Sequence, residues 1–381
     1  MSPLTLRAEH FRVLDHLLWC PEGLCLLAGA NGTGKTTMLD LLMFLRNFFE
    51  RGAENAFSSI DGSHIRSRGS VDNEPVRLEL EIGEAKWVLS LPATEKGIDG
   101  TYGEALFRGG KPVLQADMHA TDWLLSDERV PRDRIRCCTR VFWDRHDPSN
   151  EPDWMRPLVS ILTGIRIYGS FWLNQLRRPP DANDSRTSFL HGTGNNLWSV
   201  LSNWKAAPFV YRGQYEWVMT EARKAFPGLV GAIEFDRGQP YLFPPDATDP
   251  ADGLPPERAA AGVLTGLLQL TAIAGAQPDS LVAFDEMENH LHPHAIRSIL
   301  SALRQKANER NLTVIVTTHS PVVMNAFRQD PEQVYLLELG ASPTPVALTD
   351  LHDEGWLAAF MLGDLYDRLA IAAPRIVAKV K

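Results

Sequence analysis

The chain has 381 residues, a net charge of −9, and 44% hydrophobic and 22% charged residues. This composition is that of an ordinary globular protein, long enough for two or three domains, and it excludes a disordered chain and an overall polyanion binder, leaving room only for a local basic groove. The four cysteines, Cys20, Cys25, Cys137 and Cys138, form no CxxC pair and no zinc spacing, which reads as reduced thiols in a cytoplasmic protein.

The start, "MSPLTLRAEHF", lacks the long apolar core of a signal peptide. Up to Ala28 the sequence reads as two strand-like stretches around a turn at Pro21-Glu22-Gly23, the second running into a glycine-rich loop. Residues 36–49 place Met38, Leu39, Leu41, Leu42, Leu45, Phe48 and Phe49 mostly on one helical face. "VRLELEIGEAKWVLSLP" alternates and predicts a hairpin turning near Gly83-Glu84. From Lys111 to Pro250 helical pieces ("DWMRPLVSILTGI", "NNLWSVLSNW", "YEWVMTEARKAF") are separated by Pro- and Asp-rich loops, with no heptad run, repeat or low-complexity tract. "SLVAFDE" is a short apolar strand, "HAIRSILSALRQKANER" an amphipathic helix, "LTVIVTTHS" another strand and "EQVYLLEL" a last one. Alternating strands and helices predict an α/β fold. The expected divisions are a lobe with the glycine-rich loop and the hairpin over 1–110, a mixed, largely helical insertion over 111–250, a second part of that lobe with the later apolar strands over 251–345 and an amphipathic helical tail over 346–381.

Three strand ends carry the chemistry. "GANGTGKTT", Gly29 to Thr37, matches G-x-x-x-x-G-K-[ST] between a strand and a helix. Glycines let the amides of Gly29, Ala30, Asn31, Gly32, Thr33 and Gly34 curl around phosphate oxygens, and the helix start adds a positive dipole end. Lys35 then reaches the β and γ phosphates of ATP, Thr36 supplies a hydroxyl to Mg²⁺, and Thr37 completes the motif. In "LVAFDEMENHLHP" four apolar residues deliver Asp285 to a buried strand end, where a carboxylate supports the metal. Glu286 is placed to orient or deprotonate the attacking water. In "VIVTTHS" a third strand ends at Thr317, Thr318 and His319, whose imidazole is a candidate γ-phosphate contact.

Together "FRVL", "GANGTGKTT", "DEMENHLHP" and "TTHSP" resemble the ABC-type ATPases of the SMC, RecF and OLD group, most closely the compact bacterial AAA family ATPases similar to OLD and to the Septu-type defence ATPase. "IRIYGSFWLNQLRR…HGTGNNLWSVLSNW" resembles a mid-chain stretch of that group, so the likeness runs from about Leu4 to Leu337. It implies an ABC-type head fold and ATP sandwiched between two heads. It also implies catalytic roles for Lys35, Glu286 and His319, metal support from Thr36 and Asp285, and a nucleotide-side place for Arg12. Glu288, Asn289 and His290 correspond to the loop facing the partner head. His290, His292 and His294 superficially suggest a metal site; the resemblance makes them interface residues.

The run 254–276 has no charge after Arg258 and barely the ~20-residue length of a membrane span, but Gly262, Gly266 and Gln269 interrupt it and no aromatic belt flanks it. It reads as a buried helix. In the resembled group a Ser-x-Gly signature opens this helix and lends a hydroxyl to the γ-phosphate on the opposite head. Here the matching positions are Ala260 and Gly262, so the hydroxyl is missing. The rival register, Thr265-Gly266, falls inside the helix if Pro256 opens it, where free N–H groups no longer exist. Binding and dimerisation with slow hydrolysis is the expectation.

The stretch 346–381 is too short for the nuclease domain that nuclease members of the OLD group carry there. The first functional reading is therefore an ATP-driven homodimer that gates a separate effector protein, a nuclease or toxin, in antiphage defence. The second is a RecF-like DNA-maintenance ATPase. It rests on "RVPRDRIRCCTRVFWDR", Arg129 to Arg145, with six Arg against two Asp and aromatic Phe142 and Trp143 among them. A solvated face is the plainer reading of that segment. A transporter subunit is disfavoured by the altered signature and by "ENHLHP".

Overall fold

The computed structural model describes residues 3–60, 65, 67, 74–92, 102–118, 120–125, 128–131, 136–146, 150–169, 173–178, 187–337 and 344–368. The chain opens with β1 (Leu4–Phe11) and β2 (Leu14–Trp19), an antiparallel pair, then β3 (Leu24–Gly29), which enters a different sheet. The first stretch, expected as one strand, is therefore a hairpin reversing at Arg12-Val13. No Gly, Pro or Asn marks this turn. His10 and Arg12 adopt positive φ of 61° and 53°, and Arg12 N–H donates to Ile65 O at 2.8 Å, so long-range contacts hold the reversal.

After the glycine-rich loop come α1 (Lys35–Arg51) and α2 (Ala53–Ser59). Strands β4 (Val76–Ile82), β5 (Ala85–Leu91), β6 (Gly103–Arg108), β7 (Lys111–Ala116), β8 (Asp122–Leu125) and β9 (Glu128–Pro131) follow. They form an antiparallel sheet in the order β2-β1-β4-β5-β6-β7-β8-β9. The boundary expected at 110/111 thus falls inside a hairpin, at Gly109-Gly110, because β7, KPVLQA, lacks the clean apolar–polar alternation that announces a strand.

Next are α3 (Cys138–Asp144), α4 (Arg156–Gly164), β10 (Arg166–Tyr168), α5 (Leu173–Leu176), α6 (Leu197–Ala206), α7 (Pro208–Ala225) and the hairpin β11 (Ala232–Asp236) and β12 (Gln239–Phe243). The region expected as a largely helical insertion supplies strands to both large sheets. Then follow α8 (Ala261–Ala274), β13 (Leu281–Phe284), α9 (Pro293–Arg310), β14 (Thr313–Thr318), α10 (Pro321–Asn325), β15 (Val334–Leu337) and β16 (Val346–Ala347). The tail, expected as one helix, is three short ones, α11 (Leu348–Leu351), α12 (Glu354–Ala358) and α13 (Leu362–Arg368). Asp353 breaks it by capping the amides of Gly355 and Trp356. Residues 369–381 lie outside the described residues.

The second sheet runs β10-β13-β14-β3-β15-β16, parallel except at β16. Its central strands are buried on both faces, as parallel sheets are. Leu24, Leu26, Val282 and Phe284 face one core with α8 and α9; Cys25, Leu27, Leu281 and Ala283 face the other, with α1 and the antiparallel sheet. This two-residue alternation stacks antiparallel sheet, α1, parallel sheet, and α8 with α9. The C-terminal ends of β3, β13 and β14 therefore meet, and the site lies there. No described helix is long and apolar enough to cross a membrane.

Candidate nucleotide site

The loop after β3 has the form of an anion cradle. Gly32 and Gly34 take φ of 79° and 99°, a region L-residues rarely adopt. Gly34 is the N-cap of α1 and offers no side-chain bond, so the first amides of α1 are left for a ligand. A Cβ on Gly29 would lie 2.6 Å from Thr33 Oγ1 and 2.7 Å from Leu337 O, so only glycine fits. Thr33 braces the turn through Ala30 O at 2.9 Å, while Asn31, Gly32 and Thr36 are exposed at the mouth and Thr37 is half-buried. The Lys35 ammonium donates to Gly29 O at 2.7 Å and Ala30 O at 3.0 Å. Burial lowers its pKa, and Asp285, Glu286 and Glu288 work against that shift.

The acidic pair faces this loop. Thr36 Oγ1 donates to Asp285 Oδ2 at 3.4 Å across 249 residues of sequence. Two oxygen donors this close suit a hard cation such as Mg²⁺, and Thr36 and Asp285 are the residues that would hold it. Asp285 Oδ1 accepts from Thr317 Oγ1 at 2.5 Å, and the Glu286 amide donates to the same hydroxyl at 2.8 Å. One buried threonine at the end of β14 thus fixes both acidic residues. Glu286 itself sits at φ 49°, a strained conformation that aims its exposed carboxylate away from the strand direction. Asn289 Nδ2 donates to Glu286 Oε2 at 2.9 Å, and the His319 amide to Glu288 Oε1 at 2.8 Å. Burial first, then the Lys35 charge, lowers the pKa of His319, opposed by Glu286, Glu288 and Asp285, so its imidazole is neutral at pH 7.

Helix α8 begins at Ala261 with Ala260 as an N-cap that makes no side-chain bond. Pro256 opens a separate 3₁₀ turn, Pro256–Arg258, rather than this helix. The rival pair lies within α8, with Thr265 fully buried and Gly266 against Phe226. Gly262 passes beneath the acidic loop: a Cβ there would lie 2.6 Å from His290 O. Gln269 Nε2 donates to Met287 O at 2.8 Å, so α8 and the loop after β13 are joined within one chain.

Other expected residues lie differently. Arg12 is engaged by Asp40, at 2.5 Å, and by Ile60 O; Asp40 lies three residues past Thr37 and lines the same groove as Thr36 and Asp285. His292 caps α9, accepting from the His294 amide at 3.3 Å, and His294 Nε2 lies 3.0 Å from Lys224 O. Among the described residues no group of three His, Cys, Asp or Glu is placed to hold a metal ion. Of the arginine-rich segment, Arg136 and Arg140 both pair with Asp144 and Arg145 lies over Trp123; residues 132–135 are outside the described residues. Cys137 is buried, with its pKa raised by burial and by Glu104, which keeps the thiol protonated and unreactive.

Three contributors were not foreseen from the sequence. Thr317 was read only as part of a polar strand end. The turn His191-Gly192-Thr193 lines the groove shared by Thr36 and Asp285. Tyr366, from α13, donates to Gly29 O at 3.1 Å. For Tyr366 no sequence signal exists, because 337 residues separate the partners.

A family model described as "AAA domain, putative AbiEii toxin, Type IV TA system" matches residues 249–325. A stretch of 62 residues is 42% identical to Protein ea59 of Escherichia phage lambda, 16% of this chain and 11% of that protein. The chain therefore spans only a small part of that curated relative. Among solved structures, the SMC head bound to the C-winged helix domain of ScpA is similar with a TM-score of 0.52 at 13% identity, over 92% of this chain and all (100%) of that one. The SMC head domain from Thermotoga maritima gives 0.49 at 14%, over 91% and 99%. The chain has the fold of an SMC head.

Proposed function

We propose that this chain binds ATP with Mg²⁺, closes head to head with a second copy, hydrolyses ATP slowly and uses that closure to gate a separate effector protein, in the cytoplasm and in bacterial antiphage defence. The observation that carries the ATP reading is the meeting of Thr36 with Asp285 at 3.4 Å, with Thr317 bonded to both Asp285 and Glu286. Lys35 would leave the loop carbonyls for the phosphates. Mg²⁺ would neutralise phosphate charge, Glu286 would orient the attacking water, and neutral His319 would contact the γ-phosphate. Slow turnover follows from Ala260: the start of α8 offers amides to a phosphate on the opposite head but no hydroxyl.

Support for a gated partner is of two kinds. The solved head most informative for the fold is bound to another protein, ScpA. The family model matched by residues 249–325 carries a toxin description. The RecF-like reading has less support, since Arg136 and Arg140 spend their charge on Asp144.

The test compares wild type, Lys35→Ala and Glu286→Gln. Wild type is expected to bind ATP and turn over below the ~10 s⁻¹ median of enzymes; Lys35→Ala to lose binding; Glu286→Gln to bind without cleaving. Glu286→Gln purified with ATP and Mg²⁺ from the native host should retain a second protein in fixed ratio. Nucleic acid alone, released by moderate salt, would favour the DNA-maintenance reading.

A further inference from the structure

The side of the site opposite the phosphate loop is built in an unusual way. Strand β10 ends beside β13, and the Asp285 amide donates to Tyr168 O at 3.1 Å. The next residue, Gly169, cannot carry a side chain, because a Cβ there would lie 2.6 Å from the Asp285 Cβ. Gly169 itself therefore presents no side chain to the Thr36–Asp285 donors. The groove beside them is roomy, about 530 Å³, against ~30 Å³ for one water. The turn His191-Gly192-Thr193 also lines it.

That turn is held rigidly. Fully buried Asn196 accepts from the His191 amide at 2.9 Å and donates to Phe189 O at 3.0 Å. Tyr168 Oη donates to Leu190 O at 3.1 Å, so the residue that holds the Asp285 amide also holds the turn. Gly194, at φ 71°, leaves no room for a Cβ, which would lie 2.4 Å from Leu268 Cδ1. Asn195 Oδ1 accepts from Thr193 Oγ1 at 3.0 Å and lies 3.3 Å from His191 Nδ1. An amide oxygen only accepts, so Nδ1 carries a proton, and in the neutral ring Nε2 is the acceptor. The Thr193 oxygen likewise has spent its proton. The turn is thus a rigid pair of hydrogen-bond acceptors lining the groove that holds Thr36 and Asp285.

We propose that His191 and Thr193 are positioning residues for the metal. They accept hydrogen bonds from the water shell of a Mg²⁺ held by Thr36 and Asp285. This rests on the ATP·Mg²⁺ reading above.

The experiment titrates N-methylanthraniloyl-ATP into wild type, His191→Ala, His191→Gln, Thr193→Val and Lys35→Ala, with Mg²⁺ and with EDTA. The readout is the ratio of the two affinities, together with the Mg²⁺ concentration at half effect. His191→Ala and Thr193→Val are expected to raise that Mg²⁺ concentration about tenfold or more, the usual cost of losing a group that orients a metal's ligands. His191→Gln, which keeps an acceptor, should recover part of the loss. A purely supporting turn would instead change both affinities together and leave their ratio alone. A Mg²⁺ response equal to wild type in both variants overturns this inference and leaves the ATP reading standing. Failure of wild type to bind, with Lys35→Ala no different, overturns both.

Discussion

Thr317→Val removes one hydroxyl and nearly nothing else. In the native chain that hydroxyl donates to Asp285 Oδ1 and accepts from the Glu286 amide. A bond to a charged acceptor contributes about 1.5–3 kcal/mol and a neutral one about 0.5–1.5 kcal/mol. Asp285 is half-exposed, so water replaces part of the first bond, and the lower ends of both ranges apply. The expected destabilisation is about 2 kcal/mol, a melting temperature lowered by about 2–4 °C in a chain of this size. The catalytic effect should be larger, because Glu286 loses the bond that fixes its strained backbone: turnover is expected to fall about 10²-fold. Fluorescent ATP titration should stay near wild type, since the phosphate loop is untouched. Thr317→Ser keeps the hydroxyl and should restore turnover. A valine variant that hydrolyses ATP at the wild-type rate, or a serine variant as defective as valine, would refute the reasoning.

Gly29→Ala should both abolish nucleotide binding and cost about 1–3 kcal/mol in denaturant unfolding, because its Cβ would strike Thr33 Oγ1 and the Leu337 carbonyl. Ala260→Ser adds an N-cap hydroxyl to α8. It should stabilise the chain by about 1 kcal/mol in the same assay and raise turnover about tenfold; higher stability with unchanged turnover would detach Ala260 from the chemistry. Burial holds the Lys35 pKa below 10.5, and a bound phosphate favours the charged ammonium and raises it again. Binding then takes up a proton wherever the free lysine has begun to lose its own, so ATP affinity should decline as pH rises toward 10.5. A flat affinity profile over that range would contradict this placement of Lys35.

The parts of the fold that the sequence announces are those with one dominant local cause. The segments β3, β13 and β14 are short, carry apolar runs and lead into the glycine-rich loop or polar residues, so both the strands and the chemistry at their ends could be read directly. The α9 and α1 helices follow their apolar periodicity, and α8, buried from Val263 to Ala274, follows from its uncharged run. Legibility fails where distant residues decide. The reversal at Arg12-Val13 depends on Asp40, Ile60 and Ile65. The strands β7 to β9 are recruited by β6 rather than by their own pattern. The same limit holds in the site. Asp285 and Glu286 are visible as a pair after an apolar strand, but the single hydroxyl of Thr317 that fixes both is invisible without the register of β13 against β14. The turn at His191 reads as glycine-rich loop until Tyr168 and Asn196 are seen to hold it against the groove.

The most direct test of the whole account is the mass of Glu286→Gln in solution with and without ATP·Mg²⁺. The account predicts one 42.5 kDa chain in ADP or without nucleotide, and twice that mass with ATP, the shift being lost when Lys35→Ala is added. A chain that binds ATP yet stays single at every concentration tested, or pairs regardless of nucleotide, would contradict it.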